Sequence, residues 1–147
     1  MDIAKALTRI DVLRARQFPV AHTRTDQGES GPGYHIAELE TSDEFWEDDG
    51  TAHEETEEQY EADRDGLGER LAERWGPSQH ISLYSTSHRA MNGEDVEEPW
   101  ARLSGHVPDL HLWQDPESGR WIALGVSHWD EELAFQLLAV VTETDPP

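Results

Sequence analysis

The chain has 147 residues, with 32 Asp and Glu against 11 Lys and Arg, and its net charge at pH 7 is −21. The electric field of so negative a protein repels phosphate backbones and anionic lipids, so the composition argues against a protein that binds nucleic acid or membranes. The chain has no cysteine, which excludes disulfides, thiolate metal sites and Cys nucleophiles. Because the first residues lack the apolar stretch of a secretory signal and no run approaches a membrane span, we expect a cytoplasmic protein.

The charge is distributed unevenly along the chain. Residues 1–25 carry a net charge of +3, whereas residues 38–65 hold 14 acidic side chains against Arg64 alone, a net charge of −13. More than half of the total net charge therefore lies in this one segment. The hydrophobic fraction of 35%, with six Trp, is sufficient for the core of one domain.

Residues 2–17 are predicted to form the first helix. Their apolar side chains recur at spacings of three and four, and Asp2 is placed to cap the first turn. Turn-forming residues fill positions 26–33, and a new apolar run begins at Tyr34. We expect two short strands joined by a loop in this part of the chain.

The second predicted helix covers about residues 54–75. Tyr60, Leu67, Leu71 and Trp75 recur at multiples of a helical turn, and Gly76-Pro77 supplies a stop. The first half is almost entirely acidic, so its side chains repel one another. Gly66 and Gly68 have low helix propensity and favour a break near residue 66.

The second half of the chain is predicted to be mainly sheet. Residues 80–87 alternate as a strand does, residues 89–99 form a polar loop, and residues 110–113 and 120–126 form a hairpin around a Pro-Glu-Ser-Gly turn. Residues 133–144 fit a buried strand or a helix, and we prefer the strand because the preceding strand is close enough to pair with it. The sequence thus predicts one α+β domain over residues 1–147, mainly an antiparallel sheet packed against two helices, with an acidic, exposed or mobile segment at about 41–58.

One group of residues has the composition of a metal site. His106, Asp109 and His111 lie within six residues, with His128 about one strand away, and imidazole with carboxylate is a donor set for zinc or iron. A small metal-binding or metal-dependent hydrolase domain is therefore one hypothesis for the function. His80 and His88, eight residues apart on the predicted strand, are too far from each other to share an ion directly. The sequence indicates no catalytic residues and no further cofactor.

The leading hypothesis is a non-enzymatic interaction protein that binds a basic protein partner. Large aromatic side chains flanked by acids are a composition typical of binding hot spots, and a dense field of one sign speeds association with an oppositely charged partner. The predicted partner-binding residues are Phe45, Trp46, Glu47, Asp48, Asp49, Glu54, Glu55, Glu58 and Trp129. Nuclease inhibitors, immunity proteins, secretion chaperones and DNA mimics share this composition, which is an analogy of composition alone.

Two alternatives concern the origin of the charge and its use within the molecule. Ten Arg beside a single Lys fit adaptation to high salt or a GC-rich bacterial genome, although general adaptation should spread acids over the whole surface. The basic N-terminal helix is expected to dock on the acidic helix, either of its own chain or of a second subunit in a two-fold homodimer. The sequence does not choose between these two arrangements.

Overall fold

The structure is a computed structural model that describes residues 1–47, 49–130 and 132–147. The described residues form four helices, which are α1 (Ile3–Ala15), α2 (Thr51–Trp75), α3 (Tyr84–Met91) and α4 (Trp100–Ser104). They also form seven strands, which are β1 (Thr23–Thr25), β2 (Gly28–Gly31), β3 (Tyr34–Thr41), β4 (Gln79–Ser82), β5 (Asp109–Gln114), β6 (Trp121–His128) and β7 (Phe135–Thr142). None of these helices has the length and apolar character that crossing a membrane requires.

The strands make one antiparallel sheet in the order β1-β2-β3-β7-β6-β5-β4. This architecture confirms the predicted α+β domain with an antiparallel sheet. Strand β7 lies between β3 and β6, so the ambiguous segment at 133–144 is a strand, as preferred. Its side chains are buried on both faces, which explains why its sequence lacks the alternation of a half-exposed strand.

Helices cover both faces of the sheet. The long helices α1 and α2 pack on one face around Ile10, Leu67 and Ile122. The other face is covered by the shorter α4 and the start of α3, around Leu83, Trp100 and Val140. The two predicted helices therefore cover one face of the sheet. The second face is covered by α3, which lies where a strand and a loop were predicted, and by α4, for which the sequence pattern predicts no element.

The two long helices begin and end largely where the sequence indicates. The Asp2 carboxylate accepts a hydrogen bond from the Lys5 backbone N–H and caps α1. Helix α2 begins at Thr51, three residues earlier than predicted, and it continues without a break through Gly66. Packing against the sheet and α1 outweighs the low helix propensity of glycine at this position, where the Ile3 side chain lies over the helix.

Three local expectations are wrong. The glycine-rich stretch read as a loop contains β2, in which Gly28 lies so close to the Ile36 carbonyl oxygen that any Cβ would collide with it. The strand predicted for residues 80–87 ends at Ser82, and helix α3 begins at Tyr84. Residues 51–53, placed before the second predicted helix, form the first turn of α2, whereas residues 54–58 are helical as predicted and mostly exposed.

Helix α1 docks on the other helix of its own chain, but not on the acidic half. Ala6, Ile10 and Leu13 share a cluster with Leu67 and Leu71 from the second half of α2. Asp11 of α1 binds Arg74 near the end of α2, with 2.8 Å between Arg74 Nη1 and Asp11 Oδ1. The first turns of α2 thus keep their negative charge exposed.

Candidate functional site

Two loops and the start of α2 meet at one end of the sheet. The first loop follows β3 and carries Phe45 and Trp46, and the second joins β6 to β7 and carries Trp129. The loops are joined by a backbone hydrogen bond of 2.8 Å from the Phe45 N–H to the Glu132 carbonyl. Most of the predicted partner-binding residues therefore lie at the same end of the molecule.

An aromatic and histidine cluster holds this end together. The rings of Phe45, His53 and His128 surround Phe135, with ring centroids 5.9, 5.0 and 4.2 Å from that of Phe135 respectively. The two histidine Nε2 atoms are 3.3 Å apart, so one ring donates where the other accepts. Burial, and then the neighbouring His53, lower the pKa of His128 below its ordinary value.

The structure corrects the expectation that the Phe45 ring is exposed. Phe45 is 9% exposed and packs with Tyr60, Val126, Phe135 and Leu137. Burial of this ring anchors the loop after β3 onto the domain. Phe45 thus supports the surface formed by its neighbours, and its side chain offers little area to a partner.

Trp46 and Trp129, in contrast, are exposed but held in place. Trp46 is 61% exposed and its indole N–H donates to the Glu44 carboxylate. Trp129 is 60% exposed, and one face of its ring stacks on His106 at 3.8 Å between centroids with 12° between the planes. Each indole therefore presents apolar area to solvent from an oriented position.

His106 is fixed in turn by contacts beneath it. Its Nδ1 lies 2.5 Å from the Ser127 hydroxyl, and burial lowers the pKa of His106 to about 4. The ring is neutral near pH 7, and it lines the surface beneath Trp129. The sequence alone did not indicate this supporting role, because 21 residues separate His106 from Ser127.

Exposed acidic side chains follow Trp46 in the loop after β3 and occupy the first turns of α2. Glu47, Asp49, Glu54, Glu55, Glu57 and Glu58 are exposed, and none of them belongs to an ion pair among the described residues. Asp49 also accepts a 3.0 Å hydrogen bond from the Thr51 backbone N–H, which lowers the pKa of the Asp49 carboxyl. Asp48, predicted to belong to this surface, lies outside the described residues. We call the surface formed by Trp46, Glu47, Asp49, Glu54, Glu55, Glu57, Glu58 and Trp129 the acidic end.

A groove of about 350 Å³ runs beside the acidic end, between α2 and the loop from α4 to β5. Glu57 and Glu61 form the α2 wall, and His106, Asp109 and His128 line the opposite side and the floor. Arg64 is the one cation among its lining residues in the described part of the chain. The groove therefore has three carboxylates against one guanidinium among apolar and histidine side chains, and it is continuous with Glu57 of the acidic end.

A separate cluster of His80, Asp109 and His111 lies at the edge of the sheet. One potential ligand atom from each residue lies within 4.8 Å of the other two, and the His80 Nε2 is 2.5 Å from Asp109 Oδ2. Burial, followed by the charge of Arg64, lowers the pKa of His111 and favours its neutral form. It is the one group of three or more such residues found among those described.

This cluster contains two of the three predicted metal residues. Asp109 and His111 are together as expected, but His80 occupies the third position, while His106 is bonded to Ser127 and stacked under Trp129. His128 pairs with His53 at the other end of the groove. The sequence places His80 too far from His88 for the two to share an ion, and only the pairing of β4 with β5 places His80 opposite His111.

Comparison with protein-family models, curated proteins and solved structures gives no match to this chain.

Proposed function

We propose that this protein is a non-enzymatic, cytoplasmic interaction module whose acidic end binds a basic protein partner. The observation that carries the proposal is that two exposed, oriented tryptophans and a set of carboxylates without ion pairs among the described residues lie at the same end of the sheet. Trp46 and Trp129 supply apolar contact area, and the carboxylates supply long-range attraction.

The electrostatic argument rests on where the basic residues are used. Arg9 and Arg14 of α1 bind carbonyl and carboxylate groups within the domain, and Arg74 binds Asp11. These cations therefore do not neutralise the first turns of α2. A basic surface approaching the acidic end gains attraction without first displacing an internal ion pair.

The tryptophans are prepared for binding because their side chains are already restrained. Stacking on His106 limits the rotamers of Trp129, and the hydrogen bond to Glu44 limits those of Trp46. Less side-chain entropy is then lost when a partner covers them. The neighbouring groove has carboxylates of Glu57 and Glu61 in position to receive a Lys or Arg side chain.

Adaptation to high salt explains the same composition in a different way. It predicts that stability rises steeply with salt and that the acidic end has no specific partner. The proposal predicts instead a partner whose association weakens as salt screens the attraction. Thermal unfolding and binding measured over the same salt series separate the two explanations.

The test uses the full chain as bait in a lysate of the native organism, with captured proteins identified by mass spectrometry and then purified. We expect a basic protein whose dissociation constant rises about 30-fold with Trp46→Ala or Trp129→Ala, the loss of a hot spot worth about 2 kcal/mol. The triple change Glu54→Gln, Glu55→Gln, Glu58→Gln should mainly slow association and reduce its salt dependence.

Matched controls exist elsewhere on the chain. Tyr84 is 71% exposed on α3, and Glu69 and Glu73 are exposed near the other end of α2, so Tyr84→Ala and Glu69→Gln with Glu73→Gln test aromatic area and charge away from the acidic end. Equal losses in the control and test variants, full binding by the test variants, or capture of no basic protein would each contradict the proposal.

A further inference from the structure

We propose that His80, Asp109 and His111 bind a zinc ion at the edge of the sheet, with one coordination position open to solvent. The site is separate from the acidic end, and this inference does not depend on a partner. It follows from the placement of three donor groups by two adjacent strands.

The strand pairing determines which side chains meet. His80 of β4 lies directly opposite His111 of β5, so both rings project from the same face and their centroids are 4.7 Å apart. Asp109 precedes His111 by two residues and therefore projects from that same face. The three donors thus converge through regular backbone geometry, without the need for a loop to rearrange.

The carboxylate of Asp109 is oriented between two neighbours. Its Oδ2 faces the His80 Nε2, and its Oδ1 lies 4.0 Å from Arg64 Nη1 of α2. Arg64 is also bonded to Asp65 at 3.1 Å, so the two groups behind the cluster carry opposite charges. The nearby guanidinium favours the ionised Asp109 carboxylate, the form that binds a metal, without a direct hydrogen bond to it.

The donor set selects the type of metal. Two imidazole nitrogens and one carboxylate oxygen suit zinc, whereas calcium and magnesium are bound mainly by oxygen ligands. Three protein ligands leave a fourth tetrahedral position, and the 59% exposed His80 side chain keeps that side open to water. Such a site binds and activates a water molecule or accepts a ligand from a partner.

The test is zinc titration of the metal-free full chain by calorimetry near neutral pH, with elemental analysis after dialysis. We expect one equivalent of zinc for the unaltered protein. Removing a residue that only orients a metal ligand costs about 10-fold to 100-fold in metal affinity. Removing a ligand itself, in His80→Ala, Asp109→Asn or His111→Ala, should therefore cost at least about 100-fold. Calcium and magnesium should not compete with zinc.

Histidine controls distinguish this site from other zinc binding. His88→Ala on exposed α3 and His53→Ala at the other end of the groove should leave zinc affinity unchanged, and circular dichroism checks that each variant is folded. Because His80 is exposed on an edge strand, His80→Ala should disturb the fold less than the other two ligand substitutions. Substoichiometric zinc, equal affinity in His80→Ala, or loss of binding in His53→Ala would overturn the assignment.

Discussion

Asp115 connects the hairpin between β5 and β6 to the first helix, and changing it to Asn is expected to destabilise the protein measurably. The side chain is 1% exposed and accepts hydrogen bonds from Arg14 Nε at 2.8 Å, the Ser118 hydroxyl at 2.8 Å and the Glu117 backbone N–H at 3.0 Å. Asn keeps the shape but removes the charge, and its amide N–H group then faces donors.

The structure sets the magnitude of this change. A hydrogen bond involving a charged group contributes about 1.5–3 kcal/mol. Isolating one member of a buried pair costs about 3–5 kcal/mol. In Asp115→Asn, Arg14 keeps its 2.9 Å contact with Asp11 and is not left unpaired, so the range for a single charged hydrogen bond applies. We expect a loss of about 2 kcal/mol, or about 4–8 °C in the midpoint of thermal unfolding for a chain of this size.

The pH dependence provides the sharper measurement. Although burial acts in the opposite direction, the bonds from Arg14, Ser118 and Glu117 lower the pKa of Asp115 below its ordinary value. The stabilisation is therefore complete above the unfolded pKa of about 4 and is lost as the pH falls through the lower folded value.

Thermal unfolding followed by circular dichroism should show the gap between Asp115→Asn and the unaltered chain shrinking at acid pH. The exposed loop residue Asp95 provides a matched control, because Asp95→Asn changes charge alone. A gap that stays constant across this pH range, or a gap equal to that of the control, would refute the reasoning.

Further expectations concern the core and two titrating groups. In Gly125→Ala, the added methyl group would lie 2.7 Å from Val107 Cγ1, so we expect a loss of about 1–3 kcal/mol in urea unfolding, and unchanged stability would show that the core yields there. Phe135→Ala should cost about 3–5 kcal/mol in the same assay, and a cost near zero would mean that the cluster around this ring does not hold the loops. Burial, and then Asp63, raise the pKa of Glu40, so ionised Glu40 costs stability at neutral pH and that cost disappears as the pH falls. Glu40→Gln should therefore be more stable than the unaltered chain at neutral pH, and this gain in unfolding free energy should shrink as the pH falls; a gain that does not change with pH would contradict the assignment. Histidine resonances followed by NMR should show His106 neutral at pH 5, and a titration midpoint near the ordinary histidine pKa of about 6.5 would contradict its burial.

The sequence correctly predicts the elements that are determined by a regular apolar spacing or by a local turn or cap. Leu67 and Leu71 lie one turn apart and both pack in the core between α2 and the sheet, and Pro116 and Gly119 between β5 and β6 favour a turn. The cap at Asp2 depends only on residues within one turn. Local chemistry of this kind can be recognised without knowledge of the fold.

Contacts between distant strands could not be obtained in this way. His80 meets His111 because β4 pairs with β5, and the register of that pair depends on packing that no short window of sequence reports. Phe45 resembles an exposed anchor among its acidic neighbours, but the cluster that buries it comes from α2, β6 and β7. The metal cluster therefore includes His80, which the sequence did not indicate, and the acidic end does not include the Phe45 ring, which it did.

The central position of β7 has a consequence for association between chains. Strands β1–β3 and β4–β6 form two ladders that are joined to each other in the sheet only through β7 among the described strands. Whenever β7 detaches, the inner edges of β3 and β6 both lose their hydrogen-bond partners and become templates for another strand. The detached β7 of a second copy has the complementary sequence and can take the vacant place at high protein concentration, so strand exchange between copies is the form of misassembly to which this topology is most exposed.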